Sequence, residues 1–265
     1  MLSLSHAKKL AQQYGFSSLV TLPAANAKLA KSIGYYNAGI SLAPAKLSGH
    51  NMCIGSTPQC RLACLAGTGR AEYLDKITQA RIARTKLYAT NRKDFWLILE
   101  AELGKIDRTA KRLETTVAFR PNIISDQSWH QTLPQLFENF KHWKFYSYTK
   151  VESKVRDAIR GKLPENYHIT YSWSERSNLL KVKDFLSHGI NVAVPFYDKK
   201  TLKPCIPTEW QGIPVIDGDK SDLRFLDPKG VIVGLKVKLP KKQANRIKRI
   251  KKSKGFFVGV DNAME

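Results

Sequence analysis

From residue 116 onward the chain alternates in texture, and this alternation constrains its fold more than any other feature. Short runs rich in β-branched and aromatic residues recur at Thr116–Phe119, Lys144–Tyr148, His168–Ser172, Ile190–Val194, Ile213–Ile216 and Val231–Leu235. Their starts lie 28, 24, 22, 23 and 18 residues apart. Helix-compatible stretches separate several of them, namely Gln135–His142, Val151–Arg160 and Ser177–Ser187. Parallel strands need a crossover connection of this length, so the pattern reads as βαβ units and a parallel sheet. The expected fold is α/β: a full or partial (β/α) barrel-like parallel sheet, with an irregular Cys-containing N-terminal segment. The rival is an open doubly wound sheet, but no G-x-G-x-x-G follows a strand and no P-loop motif occurs. The alternation weakens late, because Lys199–Trp210 holds two prolines and reads as a loop.

Before residue 116 the chain reads as helical and irregular. Ser5 is placed to cap a helix from His6 to Tyr14, with Gly15 ending it. Residues 41–70 are rich in Gly, Ser, Pro and Cys, and helices are expected at Tyr73–Tyr88 and Arg92–Leu113. The expected organisation is therefore a helical segment with a Cys-rich loop over 1–115, packed on the barrel. A β/α core over 116–235 follows, then a basic C-terminal segment with a final strand over 236–265.

The hydrophobic share is 43% of the chain, enough for an ordinary core, so disorder is excluded for most of it. No run reaches the length of a membrane-spanning helix. The first residues carry no apolar stretch followed by a small-residue cleavage site, so a secretory signal is not expected. Charge is the unusual quantity. Lys plus Arg is 44 against 22 Asp plus Glu, a net charge of +22. An excess of this size favours a polyanionic partner, nucleic acid first and DNA ahead of RNA, and with no export signal expected a cytoplasmic location is expected too. No amphipathic membrane anchor is apparent. Residues 236–254 carry ten basic side chains and no acidic one, yet the remainder is still +12. Within that segment Lys241, Lys242, Arg246, Lys248, Arg249, Lys251 and Lys252 are the expected phosphate contacts. Aromatics interleave with cations at Trp143–Lys150 and Tyr167–Trp173, a pattern compatible with base stacking. Alternate rings on a strand are more often core.

Four cysteines are present, and Cys53, Cys60 and Cys64 fall within twelve residues, separated by six and then three positions. In a reducing compartment disulfides are not expected. Thiolates this close on a flexible loop can converge on one soft metal ion. His50 or Cys205 would complete a zinc site, whereas three cysteines alone would hold an iron–sulfur cluster with one open iron. The spacing is not the radical-SAM pattern, and reduced thiols without metal are the plainer alternative.

In a (β/α) barrel the reactive groups follow the strands. Asp126 stands after the first strand region, and Lys150 after the second. Asp217, Asp219, Asp222 and Arg224 come after the fifth. Carboxylates from separate strands can meet as nucleophile and general acid or base, with Lys150 and Arg224 holding an anion. Each Asp taken singly also fits a turn or helix cap.

Several phrases together carry a resemblance. They are the stretch Leu42 to Cys53, Cys60-Arg-Leu-Ala-Cys64, Ala80 to Lys86, Phe145 to Lys150, Asn191 to Val194, and Asp217 to Pro228. On these the chain resembles a widespread family of bacteriophage proteins, from about residue 40 to residue 258. Ile54 stands where that family often has Pro, and residues 239–254 form a long basic insertion where it has a short Gly-containing link. The resemblance implies a phage origin and leaves activity open. The expected function is an enzyme acting on nucleic acid, in concrete form a base exchange like that of the guanine transglycosylases, a parallel at fold level only. The alternatives are an iron–sulfur radical enzyme, or a non-catalytic DNA- or RNA-binding protein in phage replication or host takeover.

Overall fold

The computed structural model describes residues 2–25, 27–30, 33–64, 75–239 and 243–261. In chain order the first elements are α1 (Leu4–Gln13), β1 (Val20–Thr21), α2 (Ala27–Ala30), β2 (Tyr36–Ile40), α3 (Pro58–Leu62), α4 (Asp75–Thr90) and α5 (Arg92–Arg112). They are followed by β3 (Val117–Arg120), α6 (Trp129–Thr132), α7 (Gln135–Glu138), β4 (Lys144–Thr149), α8 (Glu152–Ile159), β5 (Tyr167–Ser172), α9 (Leu179–Ser187) and β6 (Val192–Asp198). The chain closes with β7 (Glu209–Trp210), β8 (Ile213–Asp217), β9 (Ile232–Lys236), α10 (Gln243–Lys252) and β10 (Val258–Val260).

The strands form one sheet in the order β1-β2-β3-β4-β5-β6-β9-β8-β7, with β10 paired to β6 off this path. Strands β2 to β6 lie side by side in chain order. The β2–β3, β3–β4, β5–β6, β6–β9 and β8–β9 pairs are parallel. Helices interleave with these strands, as the parallel pairing of sequential neighbours requires. The sheet is α/β and mostly parallel, but it stays open. Its two ends, β1 and β7, are two-residue strands paired antiparallel to β2 and β8, and short edges of this kind end a sheet instead of extending it.

All six strands expected from the sequence are present, β3, β4, β5, β6, β8 and β9, within a few residues of their expected bounds. Strand β2 was not legible, because Asn37 and Gly39 are poor strand formers. The tertiary context requires that glycine: a Cβ on Gly39 would sit 2.5 Å from the carbonyl oxygen of Arg120. At the N-terminus Ser3, not Ser5, caps α1, its hydroxyl accepting from the His6 N–H. The Gln135–His142 helix shortens to α7, preceded by the separate turn of α6. Of the Tyr73–Tyr88 helix, residues 73 and 74 lie outside the described residues, and the rest is α4.

Contacts divide the chain into two compact units. The first comprises Met1–Ile54, Ala66–Ser147 and Pro164–His168. Its long helix α5 buries Phe95, Ile98, Leu99, Leu103, Ile106 and Ala110 at helical spacing. Glu102 shares that buried face and accepts from the Leu19 N–H (3.1 Å), the Val20 N–H (2.8 Å) and the Ser18 hydroxyl (3.0 Å). Burial pushes its carboxyl up, against the pull of these bonds and of Arg84. The second unit comprises Gly55–Leu65, Tyr148–Leu163 and Ile169–Glu265. Val192, Val194, Phe196, Ile232 and Val233 form its buried strand core, with Tyr171 and Phe185 in edge-to-face contact, their centroids 4.9 Å apart.

Candidate functional site

Strand C-termini are where parallel α/β sheets carry their chemistry. In the second unit, Lys150 follows β4 and Ser172 ends β5. The Lys150 ammonium donates to the Ser172 hydroxyl at 2.6 Å and lies 5.2 Å from the centre of the Phe256 ring. Gly55 presses on the same backbone. A Cβ there would meet the carbonyl carbon of Lys150 at 2.7 Å and the nitrogen of Val151 at 2.9 Å.

The Gly55 loop leads into α3, whose start has a local cause. Thr57 accepts from the Cys60 N–H, and Pro58 occupies the first helical turn. Glu175, just beyond β5, reaches this start. Its carboxylate accepts from the Thr57 hydroxyl at 2.7 Å and from the Gln59 N–H at 3.1 Å. The other end of α3 meets α10. The Arg249 guanidinium donates to the Ala63 carbonyl at 3.0 Å, and Ile250 packs on the apolar cluster of Ala63, Val237 and Phe257. Residues Gln243–Lys252 of the basic segment are therefore a docked helix. Lys248, Lys251, Lys252 and Lys254 stay exposed, so the docking consumes Arg249 and Ile250 and leaves these ammonium groups in water. Lys241 and Lys242 lie outside the described residues. Arg246 stands within α10.

Trp173, the first residue past β5, donates its indole N–H to the Gly255 carbonyl at 2.8 Å. It packs edge-to-face on Trp210, with centroids 5.3 Å apart. The strand aromatics of the two interleaved stretches are core: Trp143, Phe145, Tyr146, Tyr167 and Tyr171 are buried. Trp173 and Phe256 are half-buried.

The carboxylates expected at strand ends have backbone duties. Asp217 accepts from the Asp219 N–H at 2.9 Å, and Asp219 accepts from the Lys236 N–H at 2.9 Å. Together they shape the turn after β8 and tie it to the end of β9. Asp222 and Arg224 are buried. Arg224 lies 3.2 Å from Asp227 and donates to the Ser221 carbonyl. Burial pushes the Asp227 carboxyl up to about 6, with Arg224 pulling the other way and Asp222 adding to the rise. In the first unit, Asp126 is buried and its backbone pairs with that of Cys53; the Asp126 N–H donates to the Met52 carbonyl at 2.8 Å. Asn122 organises that loop, its side-chain oxygen accepting from Ser125, the Gln127 N–H and the Trp129 indole. Nothing in the local sequence marks Asn122 for this role.

Cys53 accepts from the Ala45 N–H at 3.3 Å. Nearby in the chain, the His50 N–H donates to the Ser48 hydroxyl. Cys60 lies within α3 and Cys64 just after it, while Cys205 stands between β6 and β7, its thiol pushed up by burial and by Asp198. Among the described residues, no group of three or more His, Cys, Asp or Glu side chains is gathered as a metal site. No helix among them is long and apolar enough to cross a membrane.

A family model described as Gene product 88 matches residues 9–253. The chain belongs to the Gene product 88 family. This agrees with the bacteriophage kinship suggested by the stretches Leu42 to Cys53 and Asp217 to Pro228. In this Gene product 88 family member the matched region takes in α3, the ends of β4 and β5, and α10. No curated protein and no solved structure matches the chain.

Proposed function

We propose that this phage-family protein acts on nucleic acid and grips the phosphate backbone through α10. The observation that carries the proposal is the docked, carboxylate-free basic helix. Its segment 236–254 holds ten cations; Lys248, Lys251 and Lys252 are exposed on a helix anchored on α3, and Lys254 is exposed just beyond its end. Fixed cations cost less ordering on binding than a mobile tail does. The Glu175 carboxylate at the α3 start is engaged by Thr57 and Gln59. Phosphate neutralisation releases counterions, so binding is steeply salt-dependent. The test is anisotropy of a labelled oligonucleotide across a salt series, comparing the natural chain with the Lys248/Lys251/Lys252/Lys254→Ala variant. Four lost contacts reduce the slope of log affinity against log salt by about 3. An unchanged slope refutes the assignment to α10.

A second reading adds a chemical step on the bound strand. It is favoured by the Lys150–Ser172 contact at neighbouring strand ends, and it moves the reacting groups away from Asp217 and Asp219, which are occupied by backbone N–H groups. Ser172→Ala then abolishes turnover on a nucleic-acid substrate while binding persists. Turnover that survives this change removes the reading.

A further inference from the structure

We infer that the nucleic acid taken by this surface is single-stranded, with Trp173 and Phe256 serving as a base-stacking platform at the C-terminal end of α10. The inference rests on the nucleic-acid reading above and adds the class of strand. Both rings belong to the same small region. Trp173 is tied to Gly255, Gly255 directly follows the exposed Lys254, and Phe256 is the next residue. Both rings are half-buried, whereas Tyr167 and Tyr171, on β5 itself, are buried in the core. Trp173 and Trp210 cross at 85°. In such a pair one ring offers only its edge, so the pair does not consume both faces of both rings.

One cation touches Phe256, and others flank the two rings in the chain. The Lys150 ammonium sits against Phe256, Arg176 is exposed three residues beyond Trp173, and Lys251, Lys252 and Lys254 are exposed on the other side of Gly255. Interleaved cations and half-exposed rings suit a strand whose bases are free to leave their neighbours. Bases within a duplex are already stacked on one another and offer no face to a protein ring. Charge alone would not distinguish the two polymers, since both present phosphates.

The experiment compares binding of a labelled oligothymidine strand with that of a mixed-sequence duplex of equal length at one salt concentration. The variants are Trp173→Ala, Trp173→Phe and Phe256→Ala. The natural chain binds the strand more tightly than the duplex. Trp173→Ala weakens strand binding by about 5- to 150-fold with duplex binding unchanged. Trp173→Phe keeps a ring but loses the N–H to Gly255, so it retains most of the strand preference. Quenching of tryptophan emission by the strand, lost in Trp173→Ala, reports the contact directly. Equal affinity of the natural chain for strand and duplex overturns the inference and leaves the nucleic-acid reading standing. So does an equal loss for both polymers in Trp173→Ala, which marks Trp173 as a structural anchor of Gly255. Failure of the natural chain to bind either polymer overturns both.

Discussion

Helix α10 is docked through Arg249 and Ile250, and removing both side chains should release it without unfolding the sheet. The perturbation is the double change Arg249→Ala and Ile250→Ala. Ile250 is half-buried on Ala63, Val237 and Phe257, so truncation costs about 1–2 kcal/mol, roughly half the loss at a fully buried site. Loss of the partly exposed Arg249 bond to the Ala63 carbonyl adds about 1 kcal/mol. The sum, about 2–3 kcal/mol, is large for a ten-residue helix, since isolated helices shorter than about 12 residues are marginal in water. Lys248 and Lys252 are also like charges four residues apart, which weakens the free helix further. Amide hydrogen exchange is the assay. Protection of residues 247–252 should fall by about 30- to 150-fold, which is the stated free energy converted at 1.36 kcal/mol per decade. The amides of β6 and β9 should keep theirs. If α10 remains protected in the double variant, the docking contacts do not hold it and the fixed-cation argument fails. If β6 opens with it, the helix is part of the core and not a separately held element.

Other expectations follow from the first unit. Glu102→Ala leaves the buried Leu19 and Val20 N–H groups without their acceptor, and chemical denaturation should show a loss of about 3–4 kcal/mol. Glu102→Gln keeps one acceptor oxygen and should cost about half as much; equal stability of all three chains would show that these bonds are replaced by water. For Asp107, burial pushes the carboxyl up, but hydrogen bonds from Lys111, His142 and Trp143 outweigh it and hold the group at about 2. Its folded value is depressed, so its contribution is complete above the ordinary value of 3.8 and is lost as pH falls toward 2. After discounting for solvent screening the contribution is about 1 kcal/mol. Asp107→Asn should remove that much of the acid-limb slope in a stability-versus-pH series, and an unaltered slope counts against the triple contact.

What the sequence determined by itself was local. Runs such as Lys144–Tyr148 and Ile213–Ile216 carry their strand character in their own side chains, and the intervals between them demand crossovers; the α/β class follows. Helix α3 was not legible in this way: it lies inside the stretch 41–70 expected to be irregular, and its Thr57 cap before Pro58 is a signal that the Gly, Ser and Pro content obscured. The tail's excess charge is a sum over residues and needs no coordinates. Tertiary structure alone decided the strand order, with β9 inserted between β6 and β8, and the open form of the sheet. It also decided the fate of the polar groups after the strands. Asp217 and Asp219 look like a strand-end acid pair, yet whether a carboxylate faces substrate or a backbone N–H depends on the neighbouring chain, here that of Lys236. The docking of α10 is the extreme case, because Arg249 and the Ala63 carbonyl are 186 residues apart. A local pattern records what a residue prefers; its hydrogen-bond partner and its burial depend on segments that only folding brings near.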